Sequence, residues 1–231
     1  MDGTATVPGT RNQVPVFTQP DGTTCGSSSL VMARMLNDPG YAMYIATGYD
    51  PHTGQQASPI TDNVLTRKEA GPVGDPDLLQ PQRRFHQAAL EMHTQTNGAR
   101  NNDSWQVPWS GAVGTQPWAA AIQMSGDSGV PGSDYQVQII DPTDRTYTYD
   151  KIVDAANNGH AVPVYSYEIA DPVTESGAHA VLVVGTDGDD LMVYDPWDGK
   201  VEMVTRSDFV DAPKGRQALG WDRPMAAVLP K

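Results

Sequence analysis

The chain contains a single cysteine, Cys25, in a setting where a thiol can become a nucleophile. It follows the turn-forming stretch Gln19-Pro20-Asp21-Gly22-Thr23-Thr24 and opens the run from Cys25 to Leu36. In that run Cys25, Ser29, Met32 and Leu36 share one helical face, with Val31 and Met35 beside it. Thr23 or Thr24 suits the N-cap, and Asn37-Asp38-Pro39-Gly40 stops the helix. A cysteine attacks as its thiolate, and the unpaired N–H groups and dipole of a helix N-terminus favour that charge. Gly26, Ser27 and Ser28 are small and leave the sulfur approachable. A lone cysteine is more often a buried filler, so the case for chemistry rests on the residues that accompany it.

A thiol nucleophile needs a base on a separate element facing it. His179 opens the most apolar strand of the chain, in Ser176-Gly177-Ala178-His179-Ala180-Val181-Leu182-Val183-Val184-Gly185. The histidine in turn needs an Asp or Asn that fixes its tautomer and stabilises the imidazolium. Asp195 ends the next strand, and the hairpin-like Asp187-Gly188-Asp189-Asp190 sets that strand beside the histidine strand. Asp195-Pro196-Trp197-Asp198-Gly199 also reads as a turn, and both roles can hold at once. An oxyanion needs preorganised donors; Gln19, six residues before Cys25, could supply its amide together with the Cys25 N–H, although by itself it could equally be a surface glutamine. His52, His86, His93 and His160 read as packed or surface residues without metal-ligand company, and Asp187, Asp189 and Asp190 lack the spacing and final Glu of an EF-hand. No metal or cofactor is expected.

The elements that must position these residues change character along the chain. Residues 1–16 read as an extended lead-in, and residues 38–77 and 95–115 as loop-rich insertions, with a short helix around 60–68. Leu78 to His93 reads as a helix facing Phe85, Ala88, Ala89 and Met92 to a core, and Trp118 to Met124 as another with Pro117 in its first turn. Trp105 and Trp109 lie on the connection between them; such loops often line clefts, although local packing is the commoner role. Asp150 to Asn158 is a further short helix. Val162–Glu168, His179–Gly185, Leu191–Asp195, Lys200–Thr205 and Ala226–Leu229 then read as strands separated by turn residues. Helices first and antiparallel sheet afterwards define an α+β domain covering residues 17–231.

Composition narrows the function classes. The 231 residues, 39% hydrophobic with five Trp, can bury a core, while 15 Lys plus Arg against 28 Asp plus Glu give a net charge of -13 that repels nucleic acid. No run of about 18 apolar residues exists, and MDGTATVPGTRNQ lacks the basic start and apolar stretch of a signal peptide. These features point to the cytoplasm, or to export without a conventional signal. One cysteine excludes an intramolecular disulfide framework.

Three segments together resemble the papain-like cysteine peptidases, and most closely the family related to the double-glycine peptidases that process bacteriocin leaders. They are Gln19 with Asp21-Gly22-Thr23-Thr24-Cys25-Gly26, Gly177-Ala178-His179-Ala180-Val181-Leu182-Val183-Val184-Gly185, and Val193-Tyr194-Asp195-Pro196-Trp197. The resemblance covers roughly a tenth of the chain, but order, spacing and element type agree. It implies a papain-like fold with Cys25 as nucleophile, His179 as general base and acid, Asp195 as the orienting residue and Gln19 in the oxyanion hole. Gly26, Trp105, Trp109 and Ala178 are candidates to line the substrate cleft. The implied reaction is cleavage of an amide bond in a peptide or protein, a peptidoglycan peptide included, through a thioester acyl-enzyme. Transfer to an amine, deamidation by a bacterial effector or toxin, and a non-catalytic binding protein on the same fold are the alternatives. Leader processing does not carry over, because such peptidases are commonly fused to a membrane transporter and nothing here reads as a membrane span.

Overall fold

The computed structural model describes residues 17–60, 76–167, 178–211 and 223–231. The lead-in of residues 1–16 and nearly all of the short helix expected around 60–68 fall outside them. The first described helix, α1, spans Cys25–Asn37. The expected stop at Asp38-Pro39 is also a start: the Asp38 carboxylate accepts from the Tyr41 N–H at 3.0 Å, Pro39 fills the first turn, and α2 runs over Pro39–Thr47. Part of the stretch read as loop is therefore helical, because an Asx-Pro pair ends one helix and caps the next. A two-residue hairpin, β1 (Tyr49–Asp50) with β2 (Gln55–Gln56), precedes α3, Pro76–Asn97, which carries Phe85, Ala89 and Met92 into the core. A second small hairpin, β3 (Arg100–Asn101) with β4 (Ser104–Trp105), leads to a single 3-10 turn at Gly111–Val113 and then to α4, Pro117–Met124.

The second half builds one sheet. Strands β5 (Tyr135–Ile139), β6 (Val162–Tyr167), β7 (Ala178–Asp187), β8 (Asp190–Asp195), β9 (Lys200–Val204) and β10 (Arg223–Pro230) pair in the order β5-β10-β6-β7-β8-β9, antiparallel throughout. Helix α5, Arg145–Asn157, lies between β5 and β6 in sequence, and α6, Arg206–Val210, follows β9. The alternating Tyr135-Gln136-Val137-Gln138-Ile139 is a period-two signal that the sequence reading passed over.

Helices cover both faces of this sheet. Ala180, Leu182, Tyr194, Ala226 and Val228 belong to one cluster with Cys25, Leu30, Phe85 and Met124, while Val181, Val183, Val193, Ala227 and Leu229 join Tyr149, Ile152 and Phe209 in another. A strand buried on both faces has no polar side to show, which is why β7 reads as a continuous apolar run rather than an alternation. The first cluster fixes α1 across β7, where the Ser29 hydroxyl donates to the Ala180 carbonyl at 3.4 Å. No helix among the described residues is long and apolar enough to cross a membrane.

Candidate active site

Cys25 is the first residue of α1 and is buried. No side chain caps this helix end: Thr24 stands at the N-cap position, but its hydroxyl bonds back to the Asp21 N–H and carbonyl, both at 3.2 Å. Asp21 in turn accepts from the Thr23 N–H at 2.8 Å and the Thr23 hydroxyl at 2.9 Å. These bonds tie the turn 21–24 to itself. The first-turn N–H groups of α1 are therefore left without a side-chain cap at the helix end that carries Cys25.

His179 lies second in β7 and is 5% exposed. Its Nε2 is 2.8 Å from Asp195 Oδ1, and its side chain also hydrogen-bonds Cys25. With Nε2 given to Asp195, Nδ1 is the nitrogen left for the sulfur. Burial lowers the affinity of this imidazole for a proton, but the Asp195 bond, and after it the bond and charge of Cys25, prevail and raise the pKa to about 9. Asp195 Oδ1 also accepts from the Trp197 N–H at 2.8 Å, so the residue orients the histidine and closes the turn after β8 at the same time.

Gln19 is 1% exposed and reaches this group through its backbone, donating its N–H to the Pro196 carbonyl at 2.6 Å. Its Nε2 donates to the Asp21 carbonyl at 2.5 Å, which uses one of two amide protons, and its Oε1 is buried without a partner. The segment 17–20 is held from two sides. The Tyr194 hydroxyl donates to the Phe17 carbonyl at 2.7 Å from the sheet; from α3, Gln82 donates to the Thr18 hydroxyl at 2.8 Å, and Phe85 stacks on Phe17 at 5.1 Å. His86, fully buried in α3, stands 2.6 Å from the Gln82 amide nitrogen, and burial drops its pKa to about 4. A neutral ring there can accept from Gln82.

The structure thus brings Cys25, His179 and Asp195 into one connected group with Gln19 fastened beside them. Ala178 is exposed next to His179 at the start of β7. Gly26 is buried: a β-carbon on it would stand 2.9 Å from Thr115 Cβ and 3.4 Å from the Tyr165 hydroxyl. Its small size serves the close approach of the loop before α4, where Gly114, at φ +80°, likewise comes up against the Thr23 carbonyl. Trp105, 75% exposed, lies under the Arg100 guanidinium, and Trp109 packs edge-on against Trp118 at 5.7 Å. These tryptophans connect to Cys25 through the loop that ends at Gly114 and Thr115. Sequence reasoning missed Tyr165 and Thr115; nothing in their local pattern marks them, since only the packing of β6 and the loop against α1 brings them to Gly26. A cavity of about 530 Å³ near Lys151, His160 and Lys231 has none of the four candidates in its lining. No cluster of metal-ligating side chains occurs among the described residues.

Residues 11–213 match the model of the Peptidase_C39 like family. The chain belongs to that family. Membership covers all three segments that carry the papain-like resemblance and places this Peptidase_C39 like protein among those of cysteine-peptidase type. The Pseudomonas avirulence protein AvrPphB, among solved structures, aligns over 90% of each chain with 11% identity and a TM-score of 0.34. No curated protein matches.

Proposed function

We propose that this Peptidase_C39 like protein is a cysteine hydrolase that cleaves an amide bond of a peptide or protein through Cys25, His179 and Asp195. The observation that carries the reading is His179 itself, bonded to Asp195 on one side and to Cys25 on the other, with Cys25 at the uncapped start of α1. The raised pKa of His179 supports a resting thiolate–imidazolium pair.

In the reaction the Cys25 sulfur attacks the carbonyl carbon, and the oxyanion takes hydrogen bonds from the Cys25 N–H and the second amide proton of Gln19. The His179 imidazolium gives its proton to the leaving amine as the C–N bond breaks, leaving a thioester on Cys25. Neutral His179 then takes a proton from water, whose oxygen attacks the thioester and releases the acid. Asp195 holds the ring in the tautomer both steps need.

The test is the rate of Cys25 alkylation by iodoacetamide as a function of pH in wild type, His179→Ala and Asp195→Ala. A wild-type midpoint well below the ~8.5 of an ordinary thiol, returned to that value by His179→Ala, is the expected result. A Cys25 that is inert, or that titrates alike in all three, refutes the proposal.

A further inference from the structure

Beside Gly26, in the same buried cluster as Cys25, lies a polar group that the reaction above does not use. Tyr165 pairs with Ala180 across β6 and β7 and belongs to the cluster that contains Cys25. Its hydroxyl reaches the first turn of α1, 3.4 Å from where a β-carbon of Gly26 would stand. The residue is 5% exposed, and the hydroxyl oxygen is buried with no hydrogen-bond partner. A buried hydroxyl left unpaired costs roughly 1–3 kcal/mol against an apolar group of the same shape. Phenylalanine would fill this place without that cost.

We propose that Tyr165 is a positioning residue for the Cys25 charge, its hydroxyl proton turning toward the sulfur when the thiolate forms. The inference rests on the reading of Cys25 as nucleophile. A phenol proton rotates freely about the C–O bond and settles toward the nearest negative charge when no acceptor competes for it. Burial first, and then the charge of Cys25, push the Tyr165 pKa upward, so the group stays a protonated donor dipole across the working range. In the dry interior that dipole is only weakly screened and favours the thiolate over the thiol. Its dipole adds to the positive potential that the helix end and His179 supply to the sulfur. Thr115, the other neighbour of Gly26, has its hydroxyl engaged with Thr96 at 2.8 Å and supplies no such free proton.

The experiment adds Tyr165→Phe to the alkylation series. Because the hydroxyl has no partner to orphan, the variant is expected to fold with a Tm equal to or above wild type. Its alkylation midpoint is expected to rise by about 0.5–1 pH unit, with the dependence on His179 retained. A purely structural tyrosine would lower the Tm on replacement and leave the midpoint where it was. Should wild type show a depressed midpoint that His179→Ala abolishes while Tyr165→Phe matches wild type, the role of Tyr165 is overturned and the Cys25–His179 reading stands. Should wild-type Cys25 titrate as an ordinary thiol, both fall together.

Discussion

Replacing Asp195 by Asn separates charge from geometry at the base. The amide oxygen of Asn can still accept from His179 Nε2 and from the Trp197 N–H, so the turn after β8 and the ring orientation have their partners, while the negative charge is gone. The distance from the ordinary 6.5 to about 9 for His179 corresponds to about 3.5 kcal/mol at ~1.4 kcal/mol per pH unit. Burial opposes that rise and Asp195 is the foremost influence behind it, ahead of Cys25. Loss of the carboxylate charge weakens that hydrogen bond and removes the attraction, so Asp195→Asn is expected to lower the His179 pKa by about one unit. The assay is imidazole NMR across a pH titration, with the His179 resonances assigned by their loss in His179→Ala. Stability must follow with a defined sign: a pKa raised on folding contributes fully below 6.5 and is lost as pH climbs through about 9, so Asp195→Asn should flatten the alkaline decline in urea-unfolding free energy. A His179 pKa within about half a unit of wild type in the Asn variant would refute the assignment of Asp195 as the dominant partner.

His86 has the opposite sign. It is neutral when folded, with a pKa depressed to about 4, so stability is intact above 6.5 and falls as pH drops through that window. Urea unfolding should show wild type losing about 2 kcal/mol more than His86→Gln between pH 6.5 and 5, and equal losses would contradict the burial argument. Gln19→Ala should lower acylation by a p-nitrophenyl ester probe roughly 10²- to 10³-fold while iodoacetamide alkylation, which forms no oxyanion, stays near wild type. Parallel losses in both reactions would show that Gln19 acts on the thiol and not on the oxyanion. Gly26→Ala forces a methyl to 2.9 Å from Thr115 Cβ and should cost about 1–3 kcal/mol in thermal or urea unfolding; a neutral effect would mean that the loop before α4 yields freely.

Most of the secondary structure was legible because its signals are local. The helix starting at Cys25, Pro117 opening α4, and the short Val-rich strands each announce themselves within a few residues. The sequence reading placed the stop at Asp38 correctly but did not see that Asp38-Pro39 also starts α2. It passed over β5, although the alternation in residues 135–139 was available; the strand is five residues long and two of them are glutamines. The proximity of His179 to Asp195 could be argued from one hairpin. What could not be read was anything fixed by distant packing: the fastening of Gln19 to Pro196, the two residues of α3 that hold Phe17 and Thr18, and the Tyr165 hydroxyl beside Gly26. These contacts join segments more than 60 residues apart, and no pattern within either partner encodes them.

The end of β8 does more than finish a strand. Tyr194, Asp195 and Pro196 grip, in succession, the Phe17 carbonyl, the His179 ring and the Gln19 N–H. Three consecutive residues thus tie the 17–19 segment and the His179 ring to the same strand end, which couples their positions. On the proposed reading, a displacement of this strand end would disturb the base and the oxyanion donor together.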